Sequence, residues 1–331
     1  MIEIDGSYGE GGGQIIRTAV ALSAVTGLDT KITNIRRNRP DPGLKTQHVK
    51  AIESLSRICN ADVEGLNLGS ELIRFSPMEM EGGSFKIDIQ TAGSIPLLLQ
   101  CLMPAAIFSK ERIELTVIGG TDVAWSPTAD YLKHVTLGSL SKMGYQCNMQ
   151  INTRGYYPRG GGSVKATIFP SKIKPTDYLP DKCTVRGVSH CSNLPEHVPV
   201  RQAETAISMI REHGYEAEVD VFGKSHVSTG SGITLWCPSI GSSALGRRGL
   251  PAETVGKNAA KNIITELDSG ASVDVHLADQ LIPYMGLCRG GSYTAREITE
   301  HTRTNIWVTE QFLDVHFTIN RIGQLFEVSA D

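Results

Sequence analysis

The sequence predicts a mixed α/β protein built from three repeated units and one inserted domain. The prediction rests on an order of elements that occurs three times and on an uneven spacing between the copies. Alternating apolar residues indicate strands, and apolar residues three and four positions apart indicate helices. The order is strand, helix, strand, helix, strand, strand (βαβαββ) in each copy. Because the copies share little sequence, the order of elements carries the prediction.

The elements of the three units follow one another in the same way along the chain. Starting strands are expected at residues 4–7, 87–90 and 273–276, and first helices at 14–25, 94–107 and 279–287. Second strands are expected at 30–35, 113–118 and near 292–298, and second helices at 44–59, 128–143 and 302–312. The closing strands include 71–75, 163–169, 315–319 and 325–328.

The spacing of the starting strands locates the insertion. Asp5 and Asp88 are 83 positions apart, whereas Asp88 and Asp274 are 186 positions apart. The additional residues contain their own pattern, with helices expected at 198–212 and 252–267 and strands at 217–222 and 232–237. We therefore expect one domain formed by residues 1–175 and 272–331, and an inserted α/β domain at 176–271.

Composition and charge exclude several classes of protein. The 331 residues are 40% hydrophobic and carry a net charge of −3. No apolar run is long enough to cross a bilayer, and the acidic start of the chain does not resemble a signal peptide. The expected location is the cytoplasm, with no membrane partner. A duplex-DNA binder would usually be basic, so any contact with nucleic acid should be local and made by clustered arginines.

The cysteines are expected to be buried, reduced thiols. Seven are scattered along the chain, their number is odd, and no Cys-x-x-Cys pair occurs. This usage indicates neither a disulfide framework nor a zinc site.

A glycine-rich segment is the first candidate for a functional loop. Gly11, Gly12 and Gly13 precede the first helix, where backbone N–H groups can approach a phosphate closely. No Gly-Lys-Ser/Thr follows, so this is not a Walker A loop, and a plain tight turn is the alternative. Glu10 is a candidate metal ligand, or an acid that interacts favourably with the helix dipole. Arg17 lies one turn into the helix.

A cluster of arginines follows the second strand of the first unit. Arg36, Arg37 and Arg39 fall within four residues, and their planar guanidinium groups suit forked binding of phosphates. A solvated run of charge is the alternative. Because this loop should meet the glycine-rich loop of the same unit, phosphate binding is the interpretation we favour.

Two segments of the third unit contain further candidates. One is His276 to Gln280, in which Asp279 is also suited to cap the helix expected to start there. The other contains His301, at the expected start of the second helix. The helix dipole disfavours an imidazolium at that position, so we expect a neutral nitrogen that can act as a nucleophile. The helix N–H groups could hold the phosphate that it attacks. A lone histidine is more often structural or simply exposed.

Ordered motifs along nearly the whole chain resemble those of the RNA 3'-terminal phosphate cyclases. They are Asp5-Gly6 with Gly9 to Arg17; Pro42-Gly43-Leu44 with Gln47-His48; Thr91 to Ser94 with Leu97 to Gln100; Gly119 to Asp122; Gly155 to Pro158 with Gly160 to Gly162; Leu277 to Leu281; and His301 with Thr304-Asn305. The resemblance implies three βαβαββ units similar to a translation-initiation-factor C-terminal domain, plus an inserted α/β domain.

The resemblance also implies a reaction. ATP would transfer AMP to the histidine matching His301, and the AMP would then move to an RNA 3'-phosphate. Attack by the neighbouring 2'-hydroxyl would close a 2',3'-cyclic phosphate and release AMP. The implied partners are ATP, an RNA that ends in a 3'-phosphate, and a divalent metal, Mg²⁺ or Mn²⁺.

The same resemblance suggests roles for individual residues. Those similar to the nucleotide-binding residues are Arg17, Gln100, Pro127, His276, Leu277, Ala278, Asp279 and Gln280, with Pro127 and His276 on the two faces of adenine. Some family members have tyrosine where His276 stands. The phosphate and RNA pocket is similar at Arg36, Arg39, Gln47 and His48, and Glu10 resembles the acid linked to the metal.

Two other functions are compatible with parts of this pattern. A cyclase-like ribosome-assembly factor without activity would lack the nucleophilic histidine and parts of the arginine pocket. Here His301, Glu10 and Arg17 are present, as are Arg36 and Arg39. An enolpyruvyl transferase is also built from βαβαββ units but would need roughly twice as many repeats.

Overall fold

Two sheets in the first half of the chain have the same strand order. The computed structural model describes residues 1–181 and 183–331; Lys182, within the expected insertion, lies outside them. The first unit contains β1 (Ile2–Asp5), α1 (Gly13–Thr26), β2 (Thr30–Thr33), α2 (Thr46–Ile58), β3 (Asp62–Glu64) and β4 (Ile73–Ser76). Its strand order is β1-β2-β4-β3, in which β1 and β2 are parallel and the other pairs are antiparallel.

The second unit repeats this arrangement with longer strands. It contains β5 (Gly83–Asp88), α3 (Ile95–Ala106), β6 (Ile113–Gly119), β7 (Cys147–Thr153) and β8 (Gly162–Ile168), in the order β5-β6-β8-β7. Its second helix is interrupted: α4 (Ala129–Tyr131) and α5 (Leu137–Lys142) are joined by a π-helical turn at Leu132–Thr136. The sequence had predicted one regular helix there.

Next in the chain comes a third four-stranded sheet. Its elements are β9 (Val185–Ser192), α6 (His197–Glu212), β10 (Ala217–Lys224), β11 (Gly230–Cys237), β12 (Ile240–Leu245) and α7 (Ala252–Ser269), with strand order β10-β9-β11-β12. Both helices pack against the sheet and against each other. The buried apolar residues form a cluster separate from the larger one shared by the other units.

The last unit begins with a helix. Its elements are α8 (Val275–Cys288), β13 (Gly291–Ala295), α9 (Glu300–Phe312), β14 (Phe317–Ile322) and β15 (Leu325–Ala330), with strand order β13-β15-β14. The prediction of a strand at 273–276 is therefore wrong. Asp274 accepts hydrogen bonds from the N–H groups of His276 and Leu277 and caps α8, which starts four residues earlier than expected. Asp279 lies inside this helix and is not its N-cap.

The mixed α/β class is confirmed, and the fold brings the two chain halves together at α1. This helix packs against both α3 and α9, and α9 packs against α8. Ile15, Ile16 and Val20 of α1 are almost completely buried in the larger cluster. The packing places the residues that precede α1 beside the start of α9.

One prediction about the cysteines is wrong. Cys183 and Cys237 form a disulfide that joins the segment before β9 to the end of β11. The two residues are 54 positions apart, and folding of the inserted sheet brings them together. Of the other five, Cys59, Cys101 and Cys191 are buried, and Cys147 and Cys288 are partly buried, all as free thiols. None of the helices described is both long and apolar enough to cross a membrane.

Candidate active site

His301 lies at the first turn of α9, between two carboxylates from distant parts of the chain. Its Nε2 is 3.2 Å from Oε2 of Glu10, and its Nδ1 is 3.5 Å from Oδ2 of Asp279. The side chain is about half exposed, at 49%. Thr299 caps the helix by accepting a hydrogen bond from the Thr302 N–H. The cap fixes where α9 begins and thus the position of His301 in its first turn.

The two carboxylates influence the charge of His301. A hydrogen bond with Asp279 is the main reason that the pKa of His301 is raised above its ordinary value of 6.5. Glu10 acts in the same direction, while partial burial acts against both. The nearby negative charges act against the helix dipole, which alone would favour the neutral ring. Protonation of His301 therefore extends to higher pH than that of a free histidine, and only the neutral ring has a nitrogen that can attack an electrophile.

The glycine-rich loop carries Glu10 to this position. Oε2 of Glu10 lies 2.9 Å from Nη2 of Arg39, so the acid joins the arginine loop to His301. Gly9 has a φ of +56°, and a Cβ there would lie 2.8 Å from Oγ1 of Thr304. The loop thus reaches the start of α9 only because glycine can adopt this conformation without a side chain.

Gln14 and Asn305 form further hydrogen bonds around the same site. Nε2 of Gln14 donates to the carbonyl of His301 at 3.1 Å and lies 3.5 Å from Oδ2 of Asp279. Asn305 donates to the Asp279 carbonyl at 2.7 Å and accepts from the Thr18 hydroxyl at 2.9 Å. These bonds fix α1, α8 and α9 relative to one another. Gln14 and Asn305 belong to the quoted motifs, but the sequence analysis gave them no role.

His48 packs directly beneath the start of α1. A Cβ on Gly13 would lie 2.2 Å from its Nε2, so only glycine fits there. Nδ1 of His48 accepts the Lys45 N–H at 3.1 Å. Burial, with nearby Arg17 and Arg36 acting in the same direction, lowers the pKa of His48 to about 3. His48 is therefore neutral at physiological pH and supports the loop.

The arginines occupy different surroundings. Burial lowers the pKa of Arg17, whose side chain forms no hydrogen bond or ion pair within residues 1–181 and 183–331. Arg36 donates through Nη1 to the carbonyls of Asp41 and Gly43, at 2.7 and 3.0 Å, and so holds its own loop. Arg39 contacts Glu10. Arg39 and Arg17 thus lie near the two carboxylates that flank His301, Glu10 and Asp279 respectively. Nη1 of Arg36 instead stabilises its own loop.

The residues expected to contact a nucleotide differ in accessibility. His276 is exposed at the start of α8, and Gln280 accepts from the Thr136 hydroxyl at 2.7 Å. Leu277 and Ala278 are fully buried, so their side chains pack in the core. Gln100 is partly buried and its Nε2 has no hydrogen-bond partner among the residues described. Gln47 lies near Gly93, in the loop that precedes α3.

Pro127 lies in a loop beside a cavity. The cavity has a volume of about 310 Å³. Ser126 and Thr128, the neighbours of Pro127 in the chain, line it together with Ser243 and Leu245 of β12. Thr128 caps α4 and also shares a hydrogen bond with Thr234 of β11. The proline is thus held at the contact between the second unit and the inserted sheet.

A buried polar cluster that the sequence analysis missed fixes this contact. Arg154 lies 3.3 Å from Oδ2 of Asp122 and 2.5 Å from Oδ2 of Asp130. His190 of β9 lies 3.4 Å from Oδ1 of Asp122, and its Nδ1 is 2.7 Å from the Tyr156 hydroxyl. Asp122 and Tyr156 belong to quoted motifs, which was the available signal. Asp122, Asp130 and His190 have atoms close enough for a metal, but Arg154 already supplies the positive charge.

A histidine between two carboxylates, beside a glycine-rich loop and an arginine-rich loop, is an arrangement suited to chemistry on anionic groups. The sequence matches the family model for RNA 3'-terminal phosphate cyclase over residues 8–319. The chain belongs to this family, which confirms the resemblance seen in the motifs.

Proteins with the name RNA 3'-terminal phosphate cyclase are similar to this chain over its whole length. The Methanosarcina barkeri protein is 61% identical over 330 residues, which cover 100% of both chains. The Archaeoglobus fulgidus protein is 50% identical over 325 residues, 97% of this chain and 99% of the relative. The Pyrococcus furiosus protein is 45% identical over 337 residues, 100% of this chain and 96% of the relative.

Proposed function

We propose that this enzyme converts the 3'-terminal phosphate of an RNA to a 2',3'-cyclic phosphodiester at the expense of ATP. The observation that carries the proposal is the position of His301, whose two ring nitrogens face Glu10 and Asp279 at the N-terminal turn of α9. Family membership supports the reaction class, because the relatives carry the name of this activity.

The first step is proposed to charge His301 with AMP. After its proton is lost, Nε2 or Nδ1 attacks the α-phosphorus of ATP; a P–N bond forms and the bond to pyrophosphate breaks. Because one carboxylate contacts each nitrogen, the nitrogen that does not attack stays hydrogen-bonded and the ring stays oriented. Covalent catalysis of this kind divides one difficult displacement into easier ones.

The next two steps are proposed to pass AMP through the RNA. A 3'-phosphate oxygen attacks the phosphorus of histidinyl-AMP, which forms an RNA-(3')pp(5')A anhydride and frees His301. The neighbouring 2'-hydroxyl then loses its proton and attacks the 3'-phosphorus, so that the ring closes and AMP leaves. Adenylylation replaces a poor leaving group, the phosphate oxygen, by AMP.

The residues around His301 fit negatively charged substrates. Arg17 has no anionic partner in the described structure, and Arg39 has only the exposed Glu10. We assign Arg17 to the ATP phosphates, and Arg36, Arg39, Gln47 and His48 to the pocket for ATP and RNA phosphates. Forked arginine contacts suit this role.

Contacts with adenosine are proposed for the second and third units. Nε2 of Gln100 is buried and has no hydrogen-bond partner among the described residues, so it is suited to a polar ligand group. We assign Pro127 and His276 to the faces of adenine, and Asp279 and Gln280 to polar groups of the nucleotide. Since Leu277 and Ala278 are buried, we limit their contribution to the main chain of α8.

Glu10 is the residue suited to a divalent metal, Mg²⁺ or Mn²⁺. It is exposed at 46%, and a single carboxylate together with substrate phosphates is a common way to hold Mg²⁺. A metal bound there would neutralise the charge of the triphosphate. Its arrival would compete with the present contact between Glu10 and Arg39.

Domain limits and location are also part of the proposal. We assign residues 1–175 and 272–331 to the catalytic domain and 176–271 to an inserted α/β domain, in accord with the separate hydrophobic cluster of the inserted sheet. The expected location is the cytoplasm. A non-catalytic role in ribosome assembly is disfavoured because His301, Glu10 and Arg39 lie together.

Incubation with ATP labelled at the α-phosphate tests the first step. The wild type should retain label, and His301→Ala should retain none while its circular-dichroism spectrum and unfolding midpoint stay unchanged. His316→Ala is the matched control, because His316 is 73% exposed and also pairs with a glutamate. Label on the folded His301→Ala variant would contradict the assignment. A phosphoramidate bond should be labile in acid and stable in alkali.

A further inference from the structure

An aromatic pair lies beside the proposed reaction centre. The ring of Tyr8 stacks on that of Trp307, with centroids 4.0 Å apart and planes only 11° from parallel. Tyr8 belongs to the glycine-rich loop and Trp307 to α9, so the pair joins the two segments that carry Glu10 and His301. Tyr8 is 41% exposed, whereas Trp307 is partly buried.

The stack leaves part of the Tyr8 side chain exposed to solvent. Trp307 covers one side of the Tyr8 ring, and in the residues described the Tyr8 hydroxyl has no hydrogen-bond partner. An exposed ring that is already held parallel to a second ring needs little reorganisation to accept a third. Proteins bind single-stranded nucleic acid in this way, by stacking bases on aromatic side chains without reading their sequence.

The position suits the end of an RNA. Tyr8 is two residues from Glu10, so their Cα atoms are at most about 7 Å apart. Asn38 donates to the carbonyl of Ser7 at 2.9 Å and thereby ties the arginine loop to this segment. Arg303 precedes Trp307 by one helical turn; it is half exposed and lies 3.7 Å from Glu300, so its guanidinium remains accessible to an RNA phosphate.

We propose that the Tyr8–Trp307 pair is a stacking site for the base of the 3'-terminal nucleotide of the RNA. The proposal rests on the proposed placement of the 3'-phosphate beside His301. A base held on Tyr8 orients the attached ribose, so that the 2'-hydroxyl and the 3'-phosphate remain in the pocket. Because every base has an apolar face, the site accepts RNA ends of any sequence.

The test combines a protein variant with an RNA that lacks one base. Tyr8→Leu should raise the KM for an oligomer ending in a ribose 3'-phosphate about tenfold, within the range expected for loss of base stacking. Tyr8→Phe should stay within about twofold of wild type, because it keeps the ring. Phe222→Leu is the matched control, since Phe222 is an exposed aromatic residue of the inserted sheet.

Removal of the terminal base from the RNA should raise the KM of the wild type by a similar factor. The same removal should hardly change the KM of Tyr8→Leu. Equal losses in both proteins would overturn the proposal, as would a loss seen only when the penultimate base is missing. AMP transfer to His301 in the absence of RNA is measured in parallel. Both proteins could take up AMP while removal of the terminal base raises the KM equally in the two. That result would contradict the stacking site and leave the proposed function standing. Failure of the wild type to take up AMP would instead contradict the function.

Discussion

The hydroxyl of Tyr131 lies 2.7 and 2.8 Å from the two carboxylate oxygens of Asp274, and both groups are buried. The same carboxylate accepts the N–H of Gly241 at 2.8 Å and caps α8. One side chain therefore joins the second unit, the inserted sheet and the helix that carries Asp279.

Asp274→Ala should destabilise the protein by about 3 kcal/mol. The change removes a helix cap, worth about 1 kcal/mol, and leaves buried donors unpaired at about 1–3 kcal/mol each. Asp274→Asn should cost less, because it keeps an acceptor and avoids burial of a charge. Urea unfolding of both variants would measure this, and equal midpoints for Asp274→Ala and wild type would contradict the linking role.

Asp279→Asn should shift the pH dependence of AMP uptake to lower pH. Asp279 is the main cause of the raised pKa of His301, and its neutral substitute can no longer stabilise the imidazolium. The reactive neutral ring is then present at lower pH, so the acid limb of the rate profile moves down even if the maximum rate falls. Asp314→Asn, at an exposed position, is the control. An unmoved limb would show that another group sets it.

His48 should make the fold sensitive to acid. Its folded pKa is about 3, whereas an unfolded histidine has a pKa near 6.5. Between these two pH values the unfolded chain binds one more proton than the folded chain. The contribution of His48 to the free energy of unfolding is therefore full above about pH 6.5 and decreases as the pH falls toward 3. The slope from this residue approaches about 1.4 kcal/mol per pH unit. His48→Gln cannot titrate, and its stability should decline less steeply over the same range; parallel curves would argue against this explanation.

Arg154→Met should be strongly destabilising. It removes the cation between Asp122 and Asp130, and a buried ion pair that loses one partner typically costs about 3–5 kcal/mol. The double variant Arg154→Met with Asp130→Asn should recover part of this loss, because one uncompensated charge disappears. Thermal unfolding of the single and double variants would show the recovery. Additive destabilisation would mean that Asp130 and Arg154 are not coupled.

Much of the fold could be predicted because it depends on patterns within short stretches. Helix α1 was expected at 14–25 and spans Gly13–Thr26, and β11 was expected at 232–237 and spans Gly230–Cys237. The strand predicted at the start of the third unit is wrong because Val273, Asp274 and Val275 alternate between apolar and polar residues, as in a strand. The capping bonds of Asp274 and the apolar run after it favour a helix instead.

The sequence could indicate candidate site residues but not the contacts among their side chains. The position of His301 on a helix is readable from the sequence, whereas the approach of Asp279 and Glu10 depends on the packing of α1, α8 and α9. For this reason the sequence does not predict that the pKa of His301 is raised. The Cys183–Cys237 disulfide and the cluster around Arg154 were missed for the same reason, since each joins residues from separate elements.

Glu10 and His301, which touch in the folded protein, are separated by 291 positions in the chain. At a translation rate of about 5–20 residues per second, the ribosome makes the glycine-rich loop roughly 15–60 s before the histidine it serves. Throughout that interval Glu10 and Tyr8 lack their contacts with α9, and the proposed AMP acceptor has not been made. If His301 accepts AMP as proposed, a nascent chain cannot consume ATP by this chemistry until α9 has docked on α1.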